Sequence, residues 1–142
     1  MALTVRDAGS PDAAAMARLL GQLGYPAEPE AVASRLERLA IVGDRVVVAE
    51  VDGEVVGLAH LQVTPTIEYD RPAAKIGALV VDEAHRGEGV GRALVDTMDA
   101  EARARGCVVL FLTTSARRTD AHEFYRRVGL EETGKRFTKT LA

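Results

Sequence analysis

His85-Arg86-Gly87-Glu88-Gly89-Val90-Gly91-Arg92 is the stretch on which the reading of this chain turns. It follows an apolar run, Ile76-Gly77-Ala78-Leu79-Val80-Val81. It leads into a segment with Val90, Leu94, Met98 and Ala102 at helical spacing. A strand therefore delivers the chain into a glycine-rich turn, and the turn opens a helix. Glycines leave backbone N–H groups uncovered there, and the helix start adds partial positive charge, so the turn suits a phosphate or pyrophosphate. Arg86 and Arg92 flank it with guanidinium groups that pair with phosphate oxygens when they point the same way.

The spacing excludes the commoner phosphate binders. The dinucleotide fingerprint G-x-G-x-x-G, begun at Gly87 and Gly89, meets Arg92 where its third glycine belongs. That fingerprint also normally opens a domain, and here most of a domain precedes it. A P-loop needs Gly-Lys followed by Ser or Thr, whereas Gly134-Lys135 is followed by Arg136. Asp82-Glu83-Ala84-His85 spells the metal-holding string of a class of helicases, but a helicase also needs a P-loop and far more chain. A nucleotide hydrolase built on that string stays as an outside alternative.

What remains is Arg86-x-x-Gly89-x-Gly91 after a strand ending in Leu79-x-Val81. The run from Leu79 to Leu94 resembles the acyl-coenzyme-A loop of the GCN5-related N-acetyltransferases (the GNAT family), with Glu83 where that family usually has proline. A second stretch, Ala121-His122-Glu123-Phe124-Tyr125-Arg126-Arg127-Val128-Gly129-Leu130, is similar to the family's later motif. The two motifs occur in the family's order and at its separation.

Composition is consistent with that class. The 142 residues suit one domain, 1–142, with a real core, and 47% of them are hydrophobic. A net charge of -3 gives no general reason to bind nucleic acid or an anionic membrane. No apolar run approaches the roughly 18 residues of a membrane helix, and Met1 to Asp7 lacks the pattern of a signal peptide. Cys107 is the only cysteine, which rules out an internal disulfide. The expectation is a cytoplasmic protein with no metal, no nucleic-acid partner and no membrane partner; a homodimer is left open.

Periodicity predicts the order β-α-α-β-β-β-α-β-α-β, a mixed α/β sheet with helices on both faces. Ser10-Pro11-Asp12 reads as a helix start capped by serine, and Gly24 as its stop. Asp52-Gly53 joins two strands as a hairpin. Val108 to Leu112 reads as a buried strand. Asp120 and Glu123 have capping-box spacing, and the tail around Leu130 and Phe137 to Thr140 should add one or two last strands. The resemblance implies the same architecture: a single-domain acyl-CoA N-acyltransferase fold with a mostly antiparallel central sheet.

The resemblance also implies acetyl-coenzyme A as co-substrate. Its pyrophosphate would lie over the amides of Gly87, Glu88, Gly89, Val90 and Gly91, between Arg86 and Arg92. Its pantetheine arm would run beside Leu79, Val80 and Val81, with an N–H near Leu79 or Val81 facing the thioester oxygen. Tyr125 takes the family's role of proton donor to the departing thiolate; a phenol, with pKa about 10, suits that task. The plainer reading of Tyr125 is packing beside Phe124. Arg118 stands where relatives often carry asparagine, and Arg117 or Arg118 is a further phosphate contact in prospect. Cys107 reads as a small core residue rather than a nucleophile.

For the general base the sequence offers Glu68, Asp70, His60 or a water, because the glutamate that many relatives carry near Gly77 and Ala78 is absent. Glu68 comes first, since an acid near the cleft also attracts a cationic amine. Imidazole in turn titrates close to neutrality, which keeps His60 in view. His85 reads as a turn cap and His122 as a helix face. The acceptor expected is a small cationic amine, hinted at by Glu28, Glu30, Glu68 and Asp70. The alternatives are a protein amino terminus or lysine, and a non-catalytic acyl-coenzyme-A binder.

Overall fold

The computed structural model describes residues 2–113 and 119–142. Its elements are β1 (Leu3–Asp7), α1 (Ala13–Leu23), α2 (Pro29–Ile41), β2 (Arg45–Val51), β3 (Glu54–Thr64), β4 (Ala73–Val81), α3 (Val90–Ala104), β5 (Val109–Phe111) and α4 (Thr119–Arg127). The five strands lie side by side in sequence order. β1 to β4 pair antiparallel, and β5 joins β4 in parallel. The mixed, mostly antiparallel sheet of the sequence reading is therefore present.

The apolar runs are continuous because the central strands are covered on both faces. Val47, Ala49 and Val51 of β2 turn to α3, where Val90, Leu94 and Met98 meet them. Val46 and Val48 turn the other way, to Met16 and Leu19 of α1 and Val32 of α2. Leu19, Leu61, Leu94 and Met98 are fully buried, and each such side chain contributes about 1.5–3 kcal/mol. Gly57 lets α3 lie close on β3: a Cβ there would stand 3.0 Å from Leu94 Cδ1 and 3.3 Å from the Val80 carbonyl oxygen. In the hairpin Asp52 and Gly53 both have positive φ, 51° and 83°, the two-residue turn whose twist matches the strands it joins.

The start of α1 differs from the serine cap expected. Ser10–Asp12 forms a single 3-10 turn, and Asp12 does the capping from within it. Its Oδ2 accepts the Gly9 N–H at 2.8 Å, and both of its oxygens accept from Arg6, at 2.9 and 2.8 Å. Arg6 also donates to Glu50 at 2.8 and 2.6 Å, which ties β1 and β2 to the helix entry. The Arg6 hydrogen bonds, helped by the Gly9 amide, hold the Asp12 carboxyl below the usual carboxylate range against the opposing effect of burial. A depressed native pKa contributes stability above the unfolded value of about 3.9, and that stability is lost as pH falls through the native value. Asp12→Asn is therefore expected to cost about 1 kcal/mol at pH 7, kept small by the partial exposure of Arg6. The gap in thermal midpoint from the parent should close as the pH is taken below about 4.

Two expectations about the end of the sheet are corrected. β5 is three residues long, and Val109 and Phe111 stay 38% and 41% exposed, so it is an edge strand rather than a buried one. The tail adds no strand: residues 131–142 carry neither helix nor strand and are exposed. Its large apolar side chains, Phe137 and Leu141, are 91% and 88% exposed. They stand among Glu131, Glu132, Gly134, Lys135, Arg136 and Lys139, and so supply no continuous apolar face for a strand to bury.

Candidate functional site

The site is built on β4. β5 pairs with it only at Ala73, Ala74 and Lys75, opposite Val109, Leu110 and Phe111. Among the described residues the register ends there, leaving beside Ile76 to Val81 a wedge with no strand partner. Along it Val80 is buried on the α1/α2 face, while Leu79 and Val81 are half-buried against the α3 cluster. A bulge marks the apex. His60 lies opposite Ala78 and Leu61 opposite Ile76, so Gly77 is the extra residue on β4. The bulge reverses the alternation of side chains: Ala74 and Ile76 pack toward α3 before it, as Leu79 and Val81 do after it.

The turn after β4 is fastened to α1. Asp82 accepts the Ala84 N–H at 3.0 Å and pairs with Arg18, and Gln22 Oε1 accepts the Glu83 N–H at 3.0 Å. The Ala84 amide first, then Arg18, hold the Asp82 carboxyl below its ordinary value. His85 Nδ1 lies 2.8 Å from Glu88 Oε2, an internal brace across the turn. Gly87 and Gly89 have φ of 82° and 86°, a conformation that costs other residues about 1–2 kcal/mol. Among the described residues nothing lies within 4 Å of where a Cβ would stand on either.

α3 then begins at Val90, and its first helical hydrogen bond runs from Ala93 N–H to the Gly89 carbonyl at 3.1 Å. The amides of Val90, Gly91 and Arg92 therefore point out of the helix start, where an anion is stabilised. Val90 itself is 1% exposed, so its side chain anchors the helix in the core and only its backbone serves the turn. Arg86, Gly87, Glu88 and Gly89 are exposed. Arg92 is partly committed elsewhere: Nη2 donates to the Arg127 carbonyl at 3.1 Å, joining α3 to the end of α4.

α4 docks against the same helix start. A Cβ on Gly91 would stand 2.9 Å from Phe124 Cζ, so Gly91 is also the socket for that ring. Tyr125 packs edge-on against Phe124, with centroids 5.7 Å apart at 62°. The helix stops at Gly129, φ 95°, where the Leu130 N–H reaches the Tyr125 carbonyl at 3.0 Å. The two motifs thus touch, through Gly91 and Phe124, 33 residues apart in sequence. Arg117, Arg118 and the Asp120 side chain lie outside the described residues.

The base candidates are spread differently. Glu68 and Asp70 are exposed in the loop between β3 and β4. His60 sits on β3 with Nε2 2.9 Å from Asp44 Oδ2; the two side chains are 13% and 11% exposed. Asp44, in the loop between α2 and β2, is a residue the sequence reading did not single out. The lone glycine inside the β4 pattern signals the bulge and close approach beside His60, but nothing in the sequence points to Asp44. Cys107 is half-buried against the α3 cluster, as expected of a core residue. Among the described residues no three His, Cys, Asp or Glu gather as metal ligands, and no helix is long and apolar enough to cross a membrane.

The open edge of β4, the outward amides of the glycine turn at its end and the aromatic pair docked on α3 therefore lie together. Residues 13–130 match the acetyltransferase (GNAT) family, and the chain belongs to it. It is 33% identical over 135 residues to an aminoglycoside N(6')-acetyltransferase of Stenotrophomonas maltophilia, covering 92% of this chain and 87% of that one. It is 37% identical over 90 residues to an aminoalkylphosphonate N-acetyltransferase of Salmonella typhimurium, covering 63% of this chain but 58% of that protein's length. Among solved structures, a Bacillus halodurans protein described as a transcriptional regulator has a TM-score of 0.89 at 26% identity, covering 99% of this chain and 100% of its own. An aminoglycoside N-acetyltransferase in complex with CoA has the same fold, with a TM-score of 0.85 at 19% identity over 99% of this chain and 95% of its own.

Proposed function

We propose that the protein transfers an acetyl group from acetyl-coenzyme A to a primary amine, by direct attack and with no covalent enzyme intermediate. The observation that carries this reading is the end of the β4–β5 pairing at Lys75 among the described residues, on the strand that runs straight into the glycine turn. A long ligand with an anionic end and an amide-bearing arm fits that path: open backbone at Gly87 and Gly89 for the pyrophosphate, then the unpaired edge from Val81 to Ile76 for the arm. Acetyl-coenzyme A supplies the activated thioester. The relative of the same fold solved with CoA supports the choice of donor.

The chain's own residues would do the rest. The amides of Gly87 to Gly91, with Arg86 and Arg92 beside them, hold the phosphates. A backbone N–H near Leu79 or Val81 would steady the thioester oxygen, a contact whose loss typically costs roughly 3–4 kcal/mol. Tyr125, fixed against Phe124 beside the cradle, gives a proton to the departing sulfur. Glu68 draws the cationic amine toward the cleft. A small-molecule acceptor is supported by the aminoglycoside and aminoalkylphosphonate enzymes that the chain resembles.

The absence of any acidic residue from Ala73 to Val81 favours a second reading, a non-catalytic binder of acyl-coenzyme A. A panel of aminoglycosides, aminoalkylphosphonates, polyamines and amino acids, assayed by thiol release, separates the two. Under the first reading thiol appears only with certain amines, and Tyr125→Phe lowers kcat about 100-fold with little change in the KM for acetyl-coenzyme A. Tight acetyl-coenzyme A binding with no turnover across the panel supports the second.

A further inference from the structure

Gly77 is placed where the wedge begins, one residue past Ile76 and two past the last β4–β5 pair. A side chain there would collide with two others: its Cβ would stand 2.9 Å from His60 Nδ1 and 3.1 Å from Gln62 Nε2. The bulge, the glycine and the ring are therefore one arrangement. β4 contributes no side chain at the apex, and the imidazole of the neighbouring strand fills the space instead, with Nδ1 turned toward it. The other nitrogen, Nε2, is held by Asp44. With the Asp44 carboxylate as acceptor, Nε2–H is the donor of this bond, and a neutral ring then carries its lone pair on Nδ1. Among the described residues no hydrogen bond is made to Nδ1. This is the dyad logic in which a carboxylate orients an imidazole and steadies the imidazolium it becomes.

We propose that His60, positioned by Asp44, is the proton acceptor for the incoming amine, the group that the acid-free β4 strand does not provide. The inference rests on the acetyltransferase reading above. A bound ammonium must lose a proton before its nitrogen can attack, and Nδ1 receives it. The N–C bond then forms as the C–S bond breaks, and the sulfur takes the Tyr125 proton. The tyrosine oxygen recovers a proton from the new amide nitrogen through solvent, and the imidazolium releases its own, so one proton leaves per turnover. Among the described residues, hydrogen bonding and strand register place Asp44 and Lys75, which lies opposite Gln62, on this face. Arg45, opposite Leu61, turns its guanidinium to Asp7 and Glu101. Above the face α1 and α2 present Leu20, Leu23 and Leu36. Glu68, the first choice from sequence, is exposed on the loop and is given the attraction of the amine rather than its deprotonation.

The test is the pH profile of kcat/KM with an accepted amine, with acetyl-coenzyme A affinity measured alongside by calorimetry. His60→Gln should lower kcat about 100-fold, leave acetyl-coenzyme A affinity within about twofold, and remove the acidic limb of the profile. Asp44→Asn should fall between the parent and that variant. Gly77→Ala keeps the ring but drives a methyl against Nδ1, and should also lower kcat while binding acetyl-coenzyme A normally. A parent that turns over while His60→Gln or a folded Gly77→Ala keeps its rate and acidic limb overturns the proposal alone. So does a profile whose acidic limb disappears with Glu68→Gln instead. A parent that binds acetyl-coenzyme A but releases no thiol with any amine overturns the acetyltransferase reading, and this inference with it.

Discussion

Gly89→Asp is expected to weaken acetyl-coenzyme A binding by at least about 100-fold while leaving the fold intact. The position is the N-cap of α3, with φ of 86°. Aspartate tolerates the left-handed region better than most residues, so the strain stays within about 1–2 kcal/mol, less than the stability of a typical domain. The cost to the ligand is larger. A carboxylate about 4 Å from a phosphate charge is repelled by about 4 kcal/mol at the effective dielectric of a protein surface, a thousandfold before salt screening. The carboxylate would also reach for the amides at N2 or N3, Gly91 and Arg92, which the pyrophosphate is proposed to use. Gly89→Asn, nearly the same shape without the charge, should keep most of the affinity. Calorimetric titration of the three proteins decides it. Equal affinities for parent and Gly89→Asp would remove the pyrophosphate from this turn.

The glycine turn was legible because its requirements are local. A positive φ at Gly87 and Gly89, and a helix starting at Val90, follow from residue type and from the apolar spacing of Val90, Leu94 and Met98. The hairpin at Asp52-Gly53 was legible for the same reason. What sequence could not show were contacts made across long separations. Gly91 reads as one more phosphate-loop glycine, and its use as a socket for Phe124 appears only when α4 is docked. Asp44 lies sixteen residues before His60, in a loop without a motif, and register alone brings them together. The tail strand failed for a physical reason: a strand needs a face to bury, and Phe137 and Leu141 have none. The same limit applies to the acceptor, which is chosen by side chains from several elements rather than by any one run.

Gly91→Val should lower kcat/KM by about 100-fold or more without abolishing folding. The Cβ alone would stand 2.9 Å from Phe124 Cζ and 3.3 Å from Cε1, where carbon atoms settle at about 3.5–4.0 Å. Valine adds two methyl groups to that overlap, at a cost of about 1–3 kcal/mol, so the ring must leave its socket. Tyr125 is the next residue and packs edge-on against that ring, so it moves with it. A displacement of about 1 Å in a catalytic group is enough for a hundredfold loss. The Arg92 bond to the Arg127 carbonyl holds the far end of α4, which makes a tilt about that end the expected response. A double-mutant cycle isolates the cause. Gly91→Ala should impair turnover less than valine does, and Phe124→Leu, which withdraws the ring tip, should restore part of the loss in the Gly91→Ala background. The coupling expected between residues in contact is about 1 kcal/mol or more. Strict additivity of the two substitutions in kcat/KM would mean that Gly91 acts through its amide alone, and that the placing of Tyr125 owes nothing to this socket.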